Sequence, residues 1–116
     1  MSRSSRTWRF YVDDMIAFAE KVIAYTDSMD QTQFIGSGLN YDATLRNLEL
    51  IGEAATHIPE DIRERRPEIP WRLIIATRNR LIHGYLGIDA DTLWSIICTD
   101  VPDLLPKLRA LAVESR

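Results

Sequence analysis

From Trp8 onward the apolar residues fall at Trp8, Tyr11, Met15, Phe18, Val22, Tyr25 and Met29, in alternating steps of three and four. That spacing marks one face of an α-helix of about six turns, with aspartates, Glu20 and Lys21 on the other faces. Ile35-Gly36-Ser37-Gly38 cannot continue a helix cheaply, so a break is expected there, and Asn40 or Asp42 is placed to cap the next helix. The second helix carries Leu45, Leu48, Ile51, Ala55 and Ile58 as its stripe and ends at Pro59. Residues Glu60 to Arg66 allow one short helical turn before the loop Pro67-Glu68-Ile69-Pro70. Trp71 opens a third helix with Ile74, Ile75, Leu81 and Ile82 as apolar members, and Gly84 and Gly87 follow where a left-handed terminator is wanted. Asp89 or Asp91 caps a fourth helix whose seam is Leu93, Ile97, Val101, Leu104, Leu108 and Leu111. Pro102 interrupts that seam and predicts a bend, because it removes a backbone donor and crowds the preceding turn.

No stretch alternates at period two for long enough to form a strand, and no repeat or low-complexity tract is present. Helices joined by short loops predict an all-α fold, an antiparallel bundle of four to five helices. The aromatics of the first seam, Trp8, Tyr11, Phe18 and Tyr25, suit either the bundle interior or an interface, and a homodimer through a helical face is a reasonable expectation.

Composition narrows the class. At 116 residues, 46% hydrophobic and with a net charge of −3, the chain fits one domain spanning residues 1–116, and it is too apolar for a disordered one. The longest uninterrupted aliphatic run, Leu73-Ile74-Ile75-Ala76, is far short of the roughly 20 residues of a membrane span. The first ten residues lack the apolar core of a secretory signal, and the single cysteine, Cys98, forms no disulfide within the chain. Both features point to a cytoplasmic protein. With two histidines and one cysteine, no cluster has metal-ligand spacing, and neither a metal nor a cofactor is expected.

Charge is distributed unevenly. Arg63, Arg65, Arg66, Arg72, Arg78 and Arg80 crowd the stretch from 63 to 83 against only Glu64 and Glu68, and 12 of the 14 basic residues are arginine. Arginine grips phosphate or carboxylate at two points, although a solvated face with ordinary ion pairs accounts for the same pattern.

The chemistry concentrates in Ala76-Thr77-Arg78-Asn79-Arg80-Leu81-Ile82-His83-Gly84-Tyr85. On a straight helix Asn79 and His83 are about 40° apart and meet, and Arg78 shares a face with Tyr85. Arg78 and His83 are about 140° apart. Either the helix loosens near Gly84, or the arginine's reach closes the gap, or a second chain completes the site. RNA cleavage without a metal needs a base for the 2′-hydroxyl, an acid for the departing 5′-oxygen and a cation for the phosphate. Histidine serves as either proton carrier and arginine as the cation. With one His83 per chain, two facing copies would supply both proton carriers. A histidine and arginines beside a helix end also fit a capping and surface-charge role. Glu53, after Gly52 on the second helix, could order Arg78 or Arg80 or stand as a solvated charge, and His57 is favourably placed against that helix's dipole.

Arg78-Asn79-Arg80-Leu81-Ile82-His83-Gly84-Tyr85 matches the R-x4-H-x-Y signature of HepT-like proteins of the HEPN superfamily, and the resemblance covers nearly the whole chain. Leu45 through Ala55 resembles that family's second helix, Pro67-Glu68-Ile69-Pro70-Trp71 its lead-in to the motif, and Leu93-Trp94 through Leu104 its last, proline-bent helix. The resemblance implies a helical homodimer with the motif in a cleft between protomers, acting as the toxin of a toxin–antitoxin pair and cleaving RNA without a metal. It implies Arg78 and His83 as the catalytic pair, with Asn79 supporting the histidine. It also implies an MntA-like nucleotidyltransferase antitoxin that transfers AMP onto Tyr85, where a bulky anion would occupy the position meant for substrate phosphate beside Arg78. A reading from another class is a catalytically silent helical partner that binds such a transferase and is modified by it.

Overall fold

The computed structural model describes the backbone of residues 4–84 and 88–114 and the side chains of residues 7–84 and 88–114. Every regular element among them is helical: α1 (Ser4–Thr26), α2 (Gln31–Gly36), α3 (Gly38–Ala55), α4 (Glu60–Arg65), α5 (Trp71–His83), α6 (Ala90–Ser95), a π turn (Ile96–Asp100) and α7 (Val101–Glu114). The expected all-α bundle is therefore the fold, and no described helix is long and apolar enough to cross a membrane.

Helix α1 buries the predicted face, but its centre is rotated slightly. Trp8, Val12, Met15, Ala19 and Val22 are buried, while Tyr11, Phe18 and Tyr25 lie half-buried along its flank. The helix stops at Thr26, before Met29, because Ser28 turns the chain with a φ of +62°. Helix α2 then starts in a stretch whose hydrophobic pattern predicts no element. Asp30 caps it in a reciprocal box with Gln33, and it carries the buried Phe34 into the core.

The break falls at Ser37, the N-cap of α3, and Asn40 and Asp42 lie inside that helix. Asn40 has a different task from the expected one, donating from Nδ2 to the Tyr25 carbonyl at 2.7 Å and so binding the end of α1 to the start of α3. Helix α3 is the central layer. One side packs on α1, which also packs on α7, and the other side packs on α5.

The seam of the last helical stretch is buried throughout, from Leu93 to Leu111. Instead of a simple bend at Pro102, the chain widens into the π turn just before it, where the Val101 N–H reaches the Ile96 carbonyl. The extra residue gives the proline ring room within the turn preceding it, which a regular α-helix denies. Asp89, not Asp91, caps α6, accepting from the Thr92 N–H at 2.8 Å.

Half of the arginine-rich stretch works for the fold. Arg63 Nε donates to the Ile58 carbonyl at 2.9 Å, and Arg65 and Arg66 both pair with Glu114 at the end of α7. Trp71 is buried and donates its indole N–H to the Arg66 carbonyl at 3.1 Å, which closes the loop ahead of α5.

Candidate active site

Helix α5 carries the motif, and its position depends on Gly52. A Cβ at that residue would lie 2.2 Å from Arg78 Cβ and 3.0 Å from the Ile74 carbonyl oxygen. Only glycine lets α3 come so near α5, and this contact sets the Arg78 side chain against α3. The neighbouring residue then meets it: Arg78 Nη2 donates to Glu53 Oε1 at 2.6 Å, and Arg78 Nη1 donates to Asn79 Oδ1 at 2.8 Å. Arg78 Nε is buried without a hydrogen-bond partner among the described residues, so the terminal nitrogens carry what the guanidinium offers to a ligand. The Arg78 hydrogen bond is the main cause holding the Glu53 carboxyl below its ordinary value, and His57 adds to it.

Of the roles left open for Glu53, the structure places it on Arg78. Asn79 meets the arginine and not His83, the partner that the four-residue spacing predicts for it. Helix α5 runs unbroken through His83, and the Gly84 N–H tightens its last turn by bonding to the Leu81 carbonyl at 3.3 Å. The helix does not loosen ahead of the histidine, and the arginine reaches toward α3 instead of toward it. His83 is exposed at the end of α5, and its imidazole makes no hydrogen bond to a described residue. Gly84 follows with a φ of +135°, a conformation that side chains rarely adopt. Arg80 is exposed on the same helix. Tyr85 and Gly87 lie outside the described residues.

At the end of α5 an open hollow of about 370 Å³ is lined by Glu49, Leu81, Ile82 and Gly84. Among the described residues, no group of three or more His, Cys, Asp or Glu side chains is placed to hold a metal ion.

Sequence reasoning missed two neighbours of this site. The His57 ring lies with Nε2 3.4 Å from Glu53 Oε2 and stacks on Tyr11 of α1, the ring centroids 4.4 Å apart and the planes 11° from parallel. The four-residue spacing of Glu53 and His57 was a visible signal for the first contact. Nothing local signals Tyr11, which only the packing of α1 on α3 brings in.

The sequence profile of the ribonuclease HepT-like family matches residues 15–111. The chain belongs to this family. Among its relatives, a Methanocaldococcus jannaschii protein named "Putative RNase" is 40% identical over 101 residues, covering 87% of this chain and 93% of that protein. A Thermococcus cleftensis protein named "Probable ribonuclease HepT" is 35% identical over 106 residues, covering 91% of this chain and 96% of its own. No solved structure matches this HepT-like chain. The family profile spans α5 whole, so the Arg78–Glu53 pair and His83 all fall within the matched region.

Proposed function

We propose that this HepT-like chain is the toxin of a type VII toxin–antitoxin system, a metal-independent endoribonuclease with Arg78 and His83 as its catalytic residues. Asn79, Arg80 and Glu53 support them. The observation that carries the reading is a guanidinium fixed by Glu53 at 2.6 Å and Asn79 at 2.8 Å, on the same helix as an exposed histidine. A cation already held in place loses little freedom when a phosphate arrives, which makes it effective against charge that builds in a transition state.

Two copies of the chain share the site in this reading. One His83 takes the proton of a 2′-hydroxyl, and the freed oxygen attacks the adjacent phosphorus. The His83 of the partner subunit gives its proton to the departing 5′-oxygen. The products are a 2′,3′-cyclic phosphate and a 5′-hydroxyl, with Arg78 balancing the charge on the non-bridging oxygens. Leu73 on α5, half of whose surface lies open, would face a partner docked on that helix.

An MntA-like nucleotidyltransferase is the antitoxin, transferring AMP to Tyr85. That residue lies two positions beyond His83, so its adduct would bring an anion within reach of the site that receives substrate phosphate.

The test is incubation of the purified chain with RNA in excess chelator, followed by analysis of fragment ends. Cyclic phosphate ends that disappear in His83→Ala and in Arg78→Ala are expected. Intact RNA with the native chain, together with AMP uptake at Tyr85 from the transferase, overturns the nuclease and leaves the silent partner.

A further inference from the structure

We infer that His57, seated on Tyr11, is a positioning residue for Arg78 and acts through Glu53. The inference rests on reading Arg78 as the cation that meets phosphate. Glu53 is about half exposed, with 48% of its side chain open to solvent, and an exposed carboxylate on an arginine is by itself a loose, weak contact. Here both of its oxygens are engaged. Oε1 accepts from Arg78 at 2.6 Å, and Oε2 faces His57 Nε2 at 3.4 Å, so the plane of the carboxylate is fixed from two sides.

His57 is itself 47% exposed and burial does not hold its ring. Tyr11 does, through the near-parallel stack at 4.4 Å. The result is a continuous relay from Tyr11 on α1, through His57 and Glu53, to Arg78 and Asn79 on α5. It determines which way the guanidinium faces, and since Arg78 Nε is buried, that direction decides whether the terminal N–H groups meet a phosphate squarely. Removing His57 leaves the Glu53–Arg78 pair intact but free to swing.

Two readouts on the full-length chain test this. The first needs no RNA. In nitrogen-15 spectra, rotation about the Arg78 guanidinium bonds is expected to be slow in the native chain and at least threefold faster in His57→Ala. His57→Gln, whose amide can still donate to Glu53, is expected to restore the slow rate, and Tyr11→Leu to copy His57→Ala. The second readout is RNA cleavage. Here kcat is expected to fall about three- to tenfold in His57→Ala with KM within twofold, and His57→Gln is again expected to recover. Thermal midpoints are measured alongside, because a purely structural role lowers the midpoint without this split. Equal Arg78 mobility in native and His57→Ala chains overturns the inference whatever happens to RNA. Faster Arg78 rotation in His57→Ala, with a native chain that cuts no RNA, upholds the relay and instead sinks the nuclease reading.

Discussion

At the scale of single residues, Glu53 is sensitive to acid. Its carboxyl titrates below its ordinary value of 4.5 because Arg78 donates to it, so the folded state prefers the charged form. The sign follows from linkage. Stability from this pair is fully present above about pH 4.5 and is lost as pH falls through the lowered folded value. Urea midpoints of the native chain and of Glu53→Gln are expected to differ slightly at pH 7 and to draw together as pH falls below 4.5; a gap that does not narrow in acid refutes the assignment. The difference is small because the carboxylate is half exposed. For Arg78, Lys is no substitute: it keeps the charge and loses the two-armed grip on Glu53 and Asn79. Cleavage by Arg78→Lys is expected to fall about tenfold or more, the effect of one lost charged hydrogen bond. That Arg78, Asn79 and His83 share one helix was legible from the spacing, as was the chance that Glu53 meets an arginine. Where Asn79 and His57 turn was not, since each side chain had several reachable partners and the choice is made by elements far apart in sequence.

At the scale of elements, the junction of α3 and α5 is the critical contact, and Gly52 makes it. In Gly52→Ala the new methyl would meet Arg78 Cβ at 2.2 Å and the Ile74 carbonyl at 3.0 Å, so the helices must part. A stability loss of about 1–3 kcal/mol is expected by chemical denaturation, together with reduced cleavage, because Arg78 moves with α5. A gentler case is Asn40→Ala, which leaves the Tyr25 carbonyl without its 2.7 Å donor. Its expected cost is about 1 kcal/mol in the same assay. The long helices were readable because burial on one side imposes a three- and four-residue rhythm that few other structures share. Helix α2 was too short for any rhythm, although Asp30 and Gln33, three residues apart, spelled out its capping box. The π turn also left a trace: Leu93, Ile97 and Val101 follow one another in two steps of four, one residue more than the regular seam would use. Ser37 was overlooked as the cap because Asn40 and Asp42 are equally good capping residues, and only the seating of Asn40 on α1 separates them.

At the scale of the molecule, the bundle measures 48 × 28 × 22 Å, and its layers run from α7 through α1 and α3 to α5. Helix α5 closes one side of this stack, with Leu73 half exposed toward its start and the motif toward its end. In the proposed reaction each copy supplies one proton carrier, its His83, so base and acid come from two copies. If two chains pool their His83 residues, every active particle must contain two intact copies. Mixing the native chain with an equal amount of His83→Ala, under conditions that allow subunits to exchange, then leaves about half of the native chains paired with an inactive partner. RNA cleavage per native chain is expected to fall to about half, and to fall further as the variant is added in excess. Leu73→Asp is expected to reduce cleavage by another route, shifting the chain toward a monomer in sedimentation while its helical circular dichroism stays unchanged. Cleavage that stays constant per native chain through the mixing series would mean that each chain works alone, and the second proton carrier would then have to come from within the chain.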